Sequence, residues 1–193
     1  MPSVQAVADF LLRCGIDADS PEQSDLLSPL RLQKLLYYAQ GYALAVTGRP
    51  LFDEPIRAWR CGPVVESIYH AHKHIGAQGI APDPMPPGDP LDRREQDIAW
   101  MAWKEYGQYS ASRLQAMTRS EPAWLEARGT MPPGEKGNAE LSPETLACFF
   151  RERLRAMARE KNLPDPLADW QADEDFAAGR SVPLSALRIR ARA

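Results

Sequence analysis

Three histidines lie close together, at positions 70, 72 and 74, and are the residues best suited to metal chemistry. On a helix His70 and His74 would share a face, as two metal ligands do. The alternative is an exposed helix end, where histidine meets the negative pole of the helix dipole. We predict no metal site, and a metal-binding protein or uncharacterised enzyme remains the alternative hypothesis.

Motifs for catalysis are not recognisable in the sequence. We find no nucleophile beside a base, no glycine-rich phosphate loop and no pair of carboxylates in contrasting surroundings. The adjacent acids Asp53 and Glu54 precede Pro55, a pattern typical of a surface turn. We therefore expect a protein that is not an enzyme and needs no cofactor.

Cysteine usage and hydropathy bear on the compartment. The three cysteines, Cys14, Cys61 and Cys148, are odd in number and far apart, which predicts reduced, buried thiols. The chain shows neither a basic leader before a cleavage pattern nor an apolar stretch of about 18 residues. A cytoplasmic location is expected, without a membrane partner.

Charge gives no general attraction to nucleic acid, since the net charge is -3 and the isoelectric point is about 5.7. One segment is locally basic, with Arg151, Arg153, Arg155, Arg159 and Lys161. Glu152 and Glu160 dilute its field, which favours a solvated outer face. A contact with an acidic protein is the alternative, and nucleic acid is not an expected partner.

Helix start and stop signals organise the first part of the chain. Ser3 and Gly15 bracket an amphipathic helix, and Ser28 followed by Pro29 begins a long helix that Gly48 ends. The long helix is apolar or aromatic on two neighbouring faces, which predicts that it is central. A short strand or extended piece is predicted between Pro55 and Arg60.

The remaining elements are predicted to be helices separated by proline-rich loops. Pro63 is expected to begin a helix, as are Asp92, Ser110 and the pair Ser142-Pro143. The fold class is therefore mainly α, a compact helical domain around a central helix with a short β element. We assign residues 1-162 to this domain and residues 163-193 to a C-terminal extension.

The extension contains apolar residues in a charged, proline-broken stretch that is too short for a core of its own. Phe176, Leu184 and Leu187 are among them. They either pack on the preceding domain or fold against a partner, and we expect the extension to be a docking segment.

A family resemblance covers roughly residues 5 to 158. The block Leu32-Gln33-Lys34-Leu35-Leu36-Tyr37-Tyr38-Ala39-Gln40-Gly41, then Gly48-Arg49-Pro50-Leu51-Phe52, Ile56-Arg57-Ala58-Trp59 and Gly62-Pro63-Val64, resembles the signature of the Panacea (SocA-like) antitoxin domain. The segment from Leu114 to Trp124 resembles a later motif of that family, with Arg119 where the family usually has histidine.

The resemblance implies an antitoxin that neutralises, by direct protein contact, a toxin encoded by an adjacent gene. One branch of the family resembles an adaptor that delivers its toxin to the ClpXP protease, and the family also occurs in prophage genes. For partner contact we select exposed positions around Lys34, Tyr37, Tyr38 and Trp59, because aromatic and basic groups make effective interface anchors. The alternative for these four is packing in the core.

Overall fold

The computed structural model describes residues 1-16, 25-83, 90-132 and 134-168. Over these residues the chain forms α1 (Val4–Cys14), α2 (Pro29–Thr47), β1 (Ile56–Trp59), β2 (Gly62–Val65), α3 (Glu66–His72), α4 (Arg93–Tyr106), α5 (Ala111–Arg119), α6 (Pro122–Arg128) and α7 (Pro143–Glu160). A short 3-10 helix, Lys73–Ile75, extends α3. The predicted mainly α class with a short β element is confirmed.

Helix α2 is the centre of the molecule. The Ser28 hydroxyl accepts a hydrogen bond from the Arg31 backbone N–H, and Gly48 ends the helix in the left-handed conformation at φ 69°. Every residue from Leu32 to Val46 is buried, because α1, α4, α5, α7 and β2 all pack around the helix. This confirms the predicted central helix.

The two strands form an antiparallel hairpin in which Ile56 pairs with Val65 and Trp59 with Gly62. The free edge of β1 is covered by the segment before α7, since the Ala58 N–H donates to the Ala139 carbonyl at 2.8 Å. The hairpin is therefore held on both sides of β1.

The predicted helix start at Pro63 is wrong, because Pro63 lies within β2 and α3 begins only at Glu66. The physical reason is a contact with a residue that is far away in the sequence. The side-chain amide of Gln33 binds both the N–H and the carbonyl of Val65, at 2.7 and 3.2 Å, and so holds Val65 in an extended conformation.

The described core extends beyond α7. Leu167 is 2% exposed and belongs to the same hydrophobic cluster as the helices. Asp165 pairs with Arg155 of α7 at 3.3 Å, which ties this segment to the helix. Among the described helices, none combines the length and apolar character needed to cross a membrane.

Candidate partner-binding groove

Three of the four predicted contact residues lie in the interior. Lys34, Tyr37 and Tyr38 each have 0% of their surface exposed. The expectation that they are exposed is wrong, because the hairpin packs over Lys34, and rings of α4 and α7 pack against Tyr37 and Tyr38.

Lys34 is a buried cation that supports the hairpin. Its Nζ donates to the Pro63 carbonyl at 2.7 Å, and Gly62 lies directly over it, where a Cβ would come within 3.0 Å of Nζ. Burial lowers the pKa of Lys34 to about 7, against a smaller opposing effect of Cys61. The amine of Lys34 is therefore expected to titrate near neutral pH. Its hydrogen bond to Pro63 fixes the backbone of β2.

Tyr37 and Tyr38 hold a buried carboxylate. Their hydroxyls donate to the two oxygens of Glu121, at 2.6 Å from Tyr37 and 2.9 Å from Tyr38. Burial raises the pKa of Glu121, although the two tyrosine hydrogen bonds act in the opposite direction. The ring of Tyr38 stacks on Tyr106 of α4 with centroids 3.4 Å apart. This network joins α2 to α4 and to the start of α6.

A structural role for Gln33 and Gln40 was not predicted from the sequence. Gln33 binds the backbone of Val65, and Gln40 donates to the Phe52 carbonyl at 2.9 Å while its Oε1 accepts from the Leu51 N–H at 2.7 Å. The sequence did contain a signal for this role, because Gln33 and Gln40 are polar residues in a helix that is apolar on two faces. Much of the signature thus fixes the backbone around α2.

A surface groove of about 810 Å³ lies beside these buried supports. It is bounded by the N-terminus of α2, the hairpin, α3 and the segment at residues 136-138, and we call it the hairpin groove. Apolar side chains provide much of its wall, namely Pro29, Leu30, Trp59, Val64 and Tyr69. Its volume falls in the range of about 300–1,000 Å³ that is common for binding pockets.

Trp59, the fourth predicted contact residue, lies in the wall of the hairpin groove and is held on several sides. Its indole N–H donates to the Asn138 side chain at 2.8 Å, and its ring meets Tyr69 edge to face with centroids 4.8 Å apart. Its carbonyl accepts from the indole N–H of Trp124 at 3.0 Å. A large ring fixed in this way loses little freedom on binding, which favours it as an anchor.

The motif from Leu114 to Trp124 supports the groove through Trp124, whose indole N–H binds the carbonyl of Trp59. Two guanidinium groups lie over the ring of Trp124 of α6, that of Arg119 at 5.3 Å and that of Arg128 at 5.4 Å from the ring centre. Arg128 also donates to the carbonyls of Pro132 and Glu135, which anchors the loop before Lys136. Arg119, which stands where the resembled motif usually has histidine, therefore packs against an aromatic ring.

The charged residues of the groove are mostly basic. Arg60, Lys73 and Lys136 contribute to its lining, against one acid, Glu66. The groove is thus an apolar site with a positive rim on a chain whose net charge is -3.

The histidines and cysteines do not lie as the sequence suggested. Helix α3 ends at His72, so His70 and His74 do not share one α-helix. Within the described ranges no group of three or more His, Cys, Asp or Glu is arranged to hold a metal ion. The cysteines are free thiols, but Cys61 and Cys148 are exposed, which corrects the predicted burial. Burial raises the pKa of the Cys14 thiol to about 12.

The predicted docking residues of the extension, Phe176, Leu184 and Leu187, lie outside the residues that the structure describes.

Comparison with known proteins finds a similarity over the part of the chain that supplies most of this groove. The family model described as "Antitoxin SocA-like, Panacea domain" matches residues 32–125. The antitoxin SocA of Caulobacter vibrioides (strain NA1000 / CB15N) is 40% identical over 76 residues, which cover 39% of this chain and 38% of that relative. No solved structure matches the chain.

Proposed function

We propose that this protein is an antitoxin that neutralises a toxin by binding it directly, because residues 32–125 match the family model of the SocA-like Panacea domain. The observation that carries the proposal is the family match, which runs from α2 into α6. These elements also supply most of the hairpin groove, and binding at an apolar groove needs no chemistry at the protein surface. The proposed activity is binding and not catalysis.

The proposed partner is a toxin encoded by an adjacent gene, and the proposed place of binding is the cytoplasm. The matched segment spans 38% of the curated relative, so this partner is inferred from the family and not from a shared full-length sequence. Phe176, Leu184 and Leu187 of the extension are proposed as a second contact that adds apolar area to the interface.

Co-expression tests the proposal. The product of the adjacent gene is expected to arrest growth when expressed alone, and growth should return when this chain is co-expressed. The two proteins are also expected to elute together in size-exclusion chromatography after mixing in purified form. A neighbour that neither harms cells nor binds would show that the antitoxin proposal is wrong.

A proteolytic adaptor that delivers the toxin to ClpXP would also restore growth, but by a different route. The half-life of the toxin separates the two mechanisms. Direct inhibition predicts the same toxin half-life with and without this chain in cells that contain the protease, whereas an adaptor shortens it.

A further inference from the structure

The hairpin groove combines an apolar floor with a positive rim, and this combination selects a particular kind of occupant. We infer that the groove binds a segment of the toxin that carries large apolar side chains flanked by Asp or Glu, with Trp59 as its anchor. The inference rests on the proposed antitoxin function and adds to it a site and a partner chemistry.

The apolar half of the argument is geometric. Leu30 and Trp59 are only half-buried, because both face a groove of about 810 Å³. An apolar side chain bound in the groove would remove their remaining surface from water. Trp59 is already fixed by Asn138, Tyr69 and Trp124. The groove is therefore prepared for a ring or an aliphatic chain before the partner arrives.

The charged half of the argument is complementarity. Arg60, Lys73 and Lys136 are exposed, and within the described chain none of them forms an ion pair, whereas six other pairs occupy basic groups elsewhere. A carboxylate on the partner would meet a positive field at this rim although the whole chain is negative. Such complementarity favours an acidic segment over a basic one.

Nucleic acid is a poorer occupant of the same surface. Phosphate binding needs basic groups that follow a backbone, whereas this groove carries three cations around an apolar floor and one acid, Glu66, within its wall. A protein segment uses the apolar floor and the rim together.

One variant and a matched control test the apolar lining of the groove in the full-length chain. Leu30→Asp places a carboxylate on the floor, and because Leu30 is the second residue of α2, an acid there is favourable for the helix. The matched control is Leu125→Asp, which changes a 50% exposed leucine of α6 that does not line the groove. We expect Leu30→Asp to weaken toxin binding at least about 10-fold and the control to change it less than about 2-fold.

The rim is tested by the double reversal Lys73→Glu/Lys136→Glu. Its control, Lys104→Glu/Arg113→Glu, gives the same change in net charge at exposed positions outside the groove. We expect the rim variant to weaken binding about 10-fold, mainly through slower association, and to reduce its dependence on salt. Far-UV circular dichroism and thermal unfolding should be unchanged in all four variants.

A probe that does not depend on the toxin separates this inference from the proposed function. Random peptides displayed on phage are selected on the immobilised full-length chain. Enriched peptides should combine aromatic or aliphatic residues with Asp or Glu, and their binding should be lost on Leu30→Asp and retained on Leu125→Asp.

The outcomes are distinct. Tight toxin binding that both groove variants leave unchanged would overturn the inference while the antitoxin function stands. A neighbour that does not bind, together with acidic peptides that do, would overturn the function and support the groove. Enrichment of basic peptides, displacement of the peptides by a DNA oligonucleotide, or self-association that Leu30→Asp abolishes would each identify another occupant and contradict the inference.

Discussion

At the scale of single residues, the signature around α2 consists largely of polar groups that bind the backbone of neighbouring segments. Gln33 holds Val65 at the end of β2, Lys34 holds the carbonyl of Pro63 within the same strand, and Gln40 holds the turn before β1. Buried polar groups are costly unless each finds a partner, and here the partners are fixed backbone atoms. These residues therefore determine where the hairpin lies relative to α2.

Lys34 gives the stability of the fold a pH dependence near neutrality. Burial lowers its pKa in the folded chain from 10.5 to about 7, so between these values the unfolded chain holds a proton that the folded chain lacks. The free energy of unfolding should therefore rise with pH above about 7 and level off below it. From pH 7 to 8.5 this contribution amounts to about 1–2 kcal/mol.

The variant Lys34→Met should remove that contribution. Urea unfolding of both chains at several pH values measures it as the difference between two slopes, which cancels the titration of all other groups. Lys104→Met, at an exposed lysine of α4, is the control and should keep the wild-type slope. Equal slopes for Lys34→Met and the wild type would contradict the expected pKa of Lys34.

At the scale of elements, the crossing of α2 and α7 depends on one missing side chain. Gly41 lies in the middle of α2, where glycine costs about 1 kcal/mol relative to alanine. A Cβ at this position would overlap the ring of Phe150. Phe150 also packs against Tyr37, Tyr38 and Tyr42, so it has no free direction in which to move.

Gly41→Ala should therefore destabilise the fold although alanine is the better helix former. The expected loss is about 1–3 kcal/mol, typical of overpacking in a well-filled core. Gly134→Ala is the matched control, because nothing lies within 4 Å of the Cβ position there. Thermal unfolding of the two variants measures the difference, and an unchanged or higher melting temperature for Gly41→Ala would refute the tight crossing.

The elements also show which parts of the fold are predictable from local sequence. Helices α1, α2 and α7 begin where predicted because Ser3, Ser28 and Ser142 each bind a backbone N–H a few residues ahead. The strand at Pro63 was missed because it depends on pairing with β1 and on Gln33, 32 residues away from Val65. Local patterns do not contain that information.

The candidate site was predictable only in part, for a similar reason. Trp59 was selected for its residue type, and it does lie on an open groove. The burial of Tyr37 and Tyr38 follows from elements that come much later in the chain, as the 84-residue separation of Tyr37 and Glu121 shows, and Lys34 is covered by a hairpin that also follows α2 in the chain. The groove itself joins three separate stretches of the chain, at residues 29-33, 59-76 and 136-138, and no single stretch of sequence carries its pattern.

At the scale of the whole molecule, the described core ends later than the predicted domain boundary. Leu167 is buried and its N–H donates to the Asp165 side chain, which in turn pairs with Arg155. Burying a leucine contributes about 1.5–3 kcal/mol, which is a large part of the stability of a small domain. The segment up to Ala168 is therefore part of the folded unit.

Two shortened chains test this boundary. A chain that ends at Ala168 should unfold cooperatively and with nearly the stability of the full chain, whereas one that ends at Pro164 should lose about 1.5–3 kcal/mol with the contacts of Leu167. Chemical denaturation measures both. Equal stability of the two would show that Leu167 contributes nothing to the core. Weaker toxin binding by the chain ending at Ala168 would support the proposed contacts of Phe176, Leu184 and Leu187.

The late position of α7 has a consequence for how the chain is made. The hydroxyl of Tyr42 on α2 meets the sulfur of Met157 on α7, 115 residues further along. At roughly 5–20 residues per second, a ribosome needs about 6–23 s to synthesise that interval. During this time α7 does not yet cover the apolar surface of the central helix, so proteases and chaperones can reach that surface. The supply of active protein in the cell is thus expected to depend on how quickly translation reaches α7.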